Sequence, residues 1–574
     1  MKKKNKYIKK IRKLIDPTIF ASDQNKNHLI FRNEYLELIK ALTLYIFKDL
    51  ANYYNFLPEN KRYYLLIPVL AHLSGEWATY IVNYLYRIKE LSKKDIYFLE
   101  DNTQYYLEDN LKDFQICNTF RDNTDILKNS FFIRVLITHI LLDKNKNSQI
   151  NTLLNKEIII NKLEHTTKSK SGIKEFLKDI KNRNLICGYK NFSCLKILMK
   201  TSFNDINGLH EDSIKYTNEF LMRNLKINQK YTNKYFSPDQ LRNIIYIVYL
   251  LIPGEINPAS LKKISNIKDL SFFKIKFCGP YQRDLNIVKN LFIKRMNKKL
   301  IIGSQHGSDY GYTSANIKFQ FSEFMLDGFI SAGFKNNSSW ITPFLGFIPT
   351  SPKFSRLQKF SKQQTKKQIY SKSCLYIESQ IDLKKSMISD RMNYSLTYSK
   401  YNSYKLVKSF LRDLYLNKYN FAKIHVRPWI KKELLSTLKD SNLLKSSKIE
   451  IVNGKLINFM SSFNGIIILD DLSTPMLECI SMDKPFIIII SKINTNSKKS
   501  ELFFQEMIKN KYIVFKKEDA IESIKCFTNN PYKFSLKQKK ICKNFKKTFC
   551  TPKKFKSNET ANKINYLINL KNKR

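Results

Sequence analysis

The sequence predicts an α/β protein in which parallel sheets form two halves facing a cleft, behind a largely helical N-terminal region. Three observations predict it. Apolar residues recur at helical spacing through much of residues 1–240. From about residue 243, continuous apolar runs alternate with amphipathic stretches, as in parallel strands covered on both faces. A polar, basic break at Thr350–Lys367 then divides that alternation in two. At ~100–200 residues per domain, 574 residues make two or three domains. The expected division is 1–240 helical, 241–360 the first α/β half, 361–530 the second, and 531–574 a basic tail.

Taken in order, Ile8, Ile11, Leu14 and Ile15 fall on one face of a short basic helix that Pro17 ends. Glu34–Tyr54 places Tyr35, Leu38, Ile39, Leu42 and Ile46 on a second, and Lys61–Leu91 continues the pattern, interrupted by Pro68. Lys162–Arg183 is polar and Lys-rich and reads as a solvated connection or helix face. No repeat of 20–50 residues recurs. In the α/β part the expected strands are Phe272–Cys278, Lys299–Gly303, Cys374–Glu378, Phe421–Val426, Gly465–Asp470 and Pro485–Ile490, with a helix over Arg283–Asn297. Two such halves place a ligand at the carboxyl ends of their strands.

Lys+Arg 100 against Asp+Glu 49 gives a formal net charge of +51, which favours phosphate-bearing substrates, anionic lipid or nucleic acid as partners. A/T-rich codon usage yields the same Lys-, Asn- and Ile-rich, Gly-poor composition. The nine Cys are scattered with no CxxC pair, against both a zinc site and a disulfide framework. The basic N-terminus lacks an apolar h-region, and the longest apolar run, Ile244–Ile252, is far shorter than a ~20-residue span. A cytoplasmic protein is expected. Eight Lys/Arg in the first fourteen residues, and fourteen against Glu559 alone in Lys533–Arg574, suit attachment to the anionic inner face of a membrane or merely solvated termini.

Three segments carry chemistry. GSQHGSDYGY (Gly303–Tyr312) follows a strand and sets three glycines in a chain with few, as unusual φ values or close approach of backbone to a ligand require. His306 stands on that loop, able to act as acid, base or donor to a substrate oxygen near neutral pH; a His bonded to its own loop backbone is the alternative, which the glycine setting disfavours. In KIHVRPW (Lys423–Trp429), His425 and Arg427 lie two apart on a strand that Pro428 stops, so they share a face and suit a phosphate; a solvated charge pair is the alternative. GIIILDDLSTPMLECISMDKPFIIII (Gly465–Ile490) reads as one βαβ unit, with Thr474 expected as N-cap, Pro475 at the first helical position, and an anion site at the helix start. Glu478 falls one place too late for a capping box, which leaves it for ribose or base contacts, or as a first-turn carboxylate. GxxxxGK[ST], GxGxxG after a strand, HExxH and GxSxG are all missing, which counts against P-loop NTPases, ordinary dehydrogenases, zincins and serine hydrolases.

Those three segments, in that order and spacing, together with the aromatic-rich Arg62–Arg87, resemble a family of bacterial transferases of surface-carbohydrate (O-antigen and capsule) loci. Its wider relatives are the capsule, Kdo and CDP-glycerol transferases. The resemblance runs from about Leu29 to Ile524. The family's loop reads QHGG-Y-G; here Ser308 replaces the second Gly and Asp309 precedes Tyr310, while the Ser-Thr before the helix is present as Ser473–Thr474. The resemblance implies a GT-B-like fold of two Rossmann-like domains and glycosyltransferase activity with a nucleotide-sugar donor as co-substrate. No bound cofactor or metal is implied. His425, Arg427, Ser473, Thr474 and Glu478 would hold the donor's nucleotide and phosphates. His306 would face the reacting centre, with Glu378 as a second candidate base. Gln305, Gly307, Tyr310 and Gly311 would form the acceptor-side loop, for a polysaccharide or lipid-linked acceptor. A nucleotide-sugar epimerase of the same shape would show extra carboxylates around the cleft. A nucleic-acid-binding protein would interleave basic and aromatic residues along one face; the aromatics here sit in apolar runs, so no nucleic acid is expected.

Overall fold

The computed structural model describes residues 28–54, 207–250, 275–278, 297–305, 326–334, 343–363, 369–378, 423–427, 449–452, 456–490, 498–551 and 559–573, with single residues at 74, 78, 81, 82, 294, 295, 312, 406, 409 and 410. The N-terminal basic helix, Lys162–Arg183 and nearly all of Lys61–Leu91 lie outside these.

The helical region contributes α1 (His28–Tyr53), α2 (Asn207–Tyr235) and α3 (Pro238–Leu250). Leu38, Leu42 and Ile46 of α1 are buried, as the helical spacing requires, and α1 packs along α2. The expected change of rhythm near residue 243 comes late, because α3 runs through the apolar Ile244–Leu250.

Two parallel sheets follow. The first holds β1 (Ile275–Cys278), β2 (Leu300–Ser304), β3 (Gly328–Ile330) and β4 (Phe347–Ile348) in that spatial order. The basic break between the halves is in part a helix, α4 (Pro352–Gln363), whose Phe354 and Leu357 are buried. The second half runs β5 (Ser373–Ile377), β6 (Lys423–Arg427), β7 (Ile449–Ile451), α5 (Leu456–Ser462), β8 (Ile466–Leu469), α6 (Thr474–Met482), β9 (Phe486–Ile489), α7 (Lys498–Lys509), β10 (Ile513–Val514) and α8 (Lys517–Asn529). Its strands lie in the order β10-β9-β8-β5-β6-β7, every described pairing parallel. Counted from β5 this is 3-2-1-4-5-6, the doubly wound Rossmann order, with the reversal between β5 and β8.

Of residues 531–574, expected as a basic tail, the described ones, 531–551 and 559–573, pack onto the body. Helix α9 (Pro531–Phe545) and a π turn (Lys546–Cys550) bury Phe534, Gln538, Cys542, Phe545, Phe549 and Cys550. That stripe repeats at three or four residues, and the lysines between it mask the pattern in the sequence. Gln538 locks α9 to the strand it covers: its Oε1 accepts from Phe486 N–H at 3.1 Å and its Nε2 donates to Phe486 O at 2.6 Å. The chain then crosses back to the first half. A Cβ on Gly333 (φ +153°) would lie 2.9 Å from Thr551 O, so the crossing passes where no side chain fits. Helix α10 (Glu559–Asn572) buries Ala561, Ile564 and Ile568 in one cluster with Ile275, Phe277, Leu300 and Ile302.

Candidate functional site

In a doubly wound sheet a ligand sits beyond the carboxyl ends of the strands at the reversal. Here that edge lies beyond β5 and β8. The register pairs Ile377 with Leu469, which carries Glu378 and Asp470 side by side off the end of the sheet. Both are buried, and Tyr376 Oη donates to Asp470 Oδ2 at 2.8 Å. Asp471 Oδ1 accepts from Leu472 N–H at 2.8 Å, turning the chain into Ser473 and α6.

Helix α6 begins one residue earlier than expected. Ser473, extended at φ −93° and ψ −173°, is the N-cap, without a side-chain capping bond, and Thr474 is already helical. Pro475 therefore occupies the second helical position. It brings no N–H, and Met476 N–H closes onto Ser473 O at 3.0 Å, so the helix start presents fewer donors than an uncapped end. Glu478 is buried rather than open to a ribose: Lys353 Nζ, from the first turn of α4, stands 2.8 Å from its Oε1.

His425 lies mid-strand in β6, between Leu375 and Glu450 on its neighbours, not at the strand's end. Its ring packs against Phe459 and Phe463 of the α5 segment, centroids 5.3 and 5.5 Å away, and Nδ1 is 3.5 Å from Glu450 Oε2. Arg427 is the last residue of β6; its side chain lies outside the described residues.

In the first sheet, Gln305 follows β2 directly. Its N–H donates to Ile330 O at 2.8 Å and its Oε1 accepts from Ala332 N–H at 2.7 Å, tying the end of β2 to the turn after β3. Gln305 thus anchors the loop. His306, Gly307, Tyr310 and Gly311 lie outside the described residues. The loop's exit is pinned at Tyr312, fully buried against Phe504, Phe545 and Phe549. Tyr312 Oη donates to Leu472 O at 3.2 Å, and Ser500 Oγ donates to Tyr312 O at 2.6 Å. Tyr312, which follows the segment carrying His306, thus reaches through its hydroxyl the residue before the N-cap of α6.

Neighbouring groups are poised for structure rather than chemistry. Burial pushes the Cys374 thiol up to about 12 and the Cys479 thiol well above its usual value, so neither is a thiolate at neutral pH. Lys484, whose Nζ donates to Phe463 O at 2.7 Å, is lowered to about 8 by burial. Among the described residues, no group of three His, Cys, Asp or Glu side chains is placed to hold a metal, and no helix is long and apolar enough to cross a membrane.

Sequence reasoning missed Asp470, Tyr376, Lys353 and Tyr312. Asp470 was legible as an acid ending an apolar strand just before a Ser-Thr-Pro helix start. The other three acquire their places only through contacts across the fold.

No curated protein and no solved structure matches the chain. The sequence model of the LIC12162 family transferases matches residues 37–554, a span that takes in both sheets, the two loops joined by Tyr312 and the helix α9 behind them. The chain thus belongs to the LIC12162 family of transferases, and is an enzyme of that class.

Proposed function

We propose that this transferase moves a sugar or sugar-like group from a nucleotide-activated donor to a cell-surface polysaccharide or lipid-linked acceptor, its two halves working as the Rossmann-like domains of a GT-B glycosyltransferase. The observation that carries the reading is the Tyr312–Leu472 hydrogen bond, which ties the His306 loop of one sheet to the helix start at the strand reversal of the other. The strand order of the second sheet and the return of α10 to the first sheet support it.

On this reading the donor lies beyond β5 and β8, with Ser473 and Thr474 toward its phosphates, Arg427 as the bidentate cation, and Glu378 and Asp470 at the edge. His425, held by Phe459 and Phe463, sets the position of Arg427 two residues on. Glu478, engaged by Lys353, shapes the wall behind the nucleotide. His306 takes the proton of the acceptor hydroxyl as its oxygen bonds the anomeric carbon; the bond from that carbon to the phosphate oxygen breaks, and the electron pair leaves with the nucleotide. Glu378 is the second candidate for that proton. The acceptor enters along the loop of Gln305, Gly307, Tyr310 and Gly311, and the enzyme works at the inner face of the membrane.

Calorimetry with CMP, CDP, UDP, GDP and their sugars tests this. One nucleotide binds tightly, and Arg427→Ala weakens it ~10–100-fold, the loss of one charge-assisted fork. Binding of no member of the panel, with salt-sensitive binding to DNA or RNA instead, sinks the reading.

A further inference from the structure

Between Pro531 and Cys550 the chain carries seven lysines and no acid. Two are paired with an acid: the exposed Lys539 and the half-buried Lys546 reach the Asp483 carboxylate, at 3.2 and 2.6 Å. Helix α9 turns Phe534, Gln538, Cys542 and Phe545 into the protein, against Tyr512 and Phe527 among others, ring centroids 4.9 and 5.6 Å from Phe534. Helical periodicity then sets the opposite side: Tyr532, Leu536 and Lys540 follow at intervals of four, with Lys543 on the same line. Tyr532 is 70 % exposed and Leu536 56 %; Lys533, Lys537, Lys540, Lys543 and Lys547 are exposed around and beyond them.

A solvated charged face does not need a protruding leucine and tyrosine in its midst. A soluble polyanion would satisfy the lysines and leave Leu536 in water. A bilayer rich in anionic head groups accepts both, lysines over phosphates and the two apolar side chains in the interfacial layer. From this surface we infer that α9 docks the enzyme on anionic phospholipid, lying in the plane of the membrane with its Phe534 face still packed in the protein. The inference deepens the proposed function, resting on it for the acceptor's location, and commits to one surface of the second half as the part that meets the lipid.

The test is co-sedimentation of the full chain with vesicles of phosphatidylcholine alone and of two parts phosphatidylcholine to one part phosphatidylglycerol, without nucleotide. The protein pellets with the anionic vesicles only. Lys540→Gln, Lys543→Gln and Lys547→Gln combined weaken that binding ~100-fold, about fivefold for each charge. Tyr532→Ser with Leu536→Ser weakens it ~10-fold or more. All five side chains point away from the packed face, so both variants keep the wild-type thermal midpoint. Absence of binding to the anionic vesicles overturns the inference, as does binding that neither variant weakens. A loss with the lysine variant but none with the Tyr532/Leu536 variant also overturns it and assigns the face to a soluble polyanion. Vesicle binding is read without donor, so its failure leaves the nucleotide calorimetry standing, and the reverse holds too.

Discussion

Asp327 commits both carboxylate oxygens to buried partners: Arg295 Nη2 at 3.0 Å and Ser213 Oγ at 2.5 Å on Oδ1, and Ile301 N–H at 2.6 Å on Oδ2. It thereby joins the helical region, the segment before β2 and β2 itself. Asp327→Ala takes from the buried Arg295 guanidinium the carboxylate it pairs with, and urea unfolding should show a loss of ~3–5 kcal/mol; Ser213→Ala, which removes one hydrogen bond to Asp327, should cost ~1 kcal/mol. His210 lies in the same cluster, 3.2 Å from Arg295 O through Nε2. Burial lowers it from 6.5 to about 4, against a smaller opposing pull from Asp327. Between those values the unfolded chain holds a proton that the folded one does not, so stability falls as pH drops from 6.5 toward 4 and is regained above 6.5. The effect amounts to at most ~3 kcal/mol. In urea titrations across pH 4–7, His210→Phe should remove that part of the slope; an unchanged slope would assign it to other groups.

At the scale of elements, the βαβ unit from Gly465 to Ile489 places the candidate site, and its entry is tight. A Cβ on Gly465 would lie 2.0 Å from Ser373 O, a backbone atom of the neighbouring β5 that cannot swing aside. Gly465→Ala must push β8 off β5, and with it Asp470, Leu472 and Ser473. The expected outcome is a destabilisation of ~1–3 kcal/mol in thermal or urea unfolding, together with weaker nucleotide binding in the calorimetric panel. Loss of stability with unchanged nucleotide affinity would separate the β5–β8 edge from the donor site.

Across the whole molecule, the last helix belongs to the first sheet. Thr560 Oγ1 donates to Thr350 O at 2.9 Å, and Ile564 and Ile568 lie fully buried beside β1 and β2. Ending the chain after Thr551 uncovers those strands while α9 and the π turn still cover the second half. At ~1.5–3 kcal/mol per buried isoleucine, the truncated chain should lose on the order of 3–6 kcal/mol, all of it from the first half. Urea unfolding should then split into two transitions, the first coinciding with binding of a hydrophobic dye. A single unshifted transition would mean that α10 adds nothing to the first sheet.

The sequence by itself determined the α/β class and the places of β1, β2, β5, β6, β8 and β9, because β2, β5, β8 and β9 are largely runs of consecutive apolar residues, β1 and β6 alternate apolar with charged or polar ones, and strand-forming preference acts locally. It also marked the βαβ unit whose strand end and helix start line the candidate site. Strands β3, β4, β7 and β10 are two or three residues long, too short to carry a pattern of their own. Only the tertiary structure decided which polar groups meet. Ser213 and Asp327 are 114 residues apart, and Tyr312 and Leu472 are 160 apart, so their pairing follows from sheet order and helix packing. The same holds for the C-terminal residues. Their lysines read as a basic tail, but the stripe of Phe534, Gln538, Cys542 and Phe545 finds a place to be buried only once the second sheet has formed.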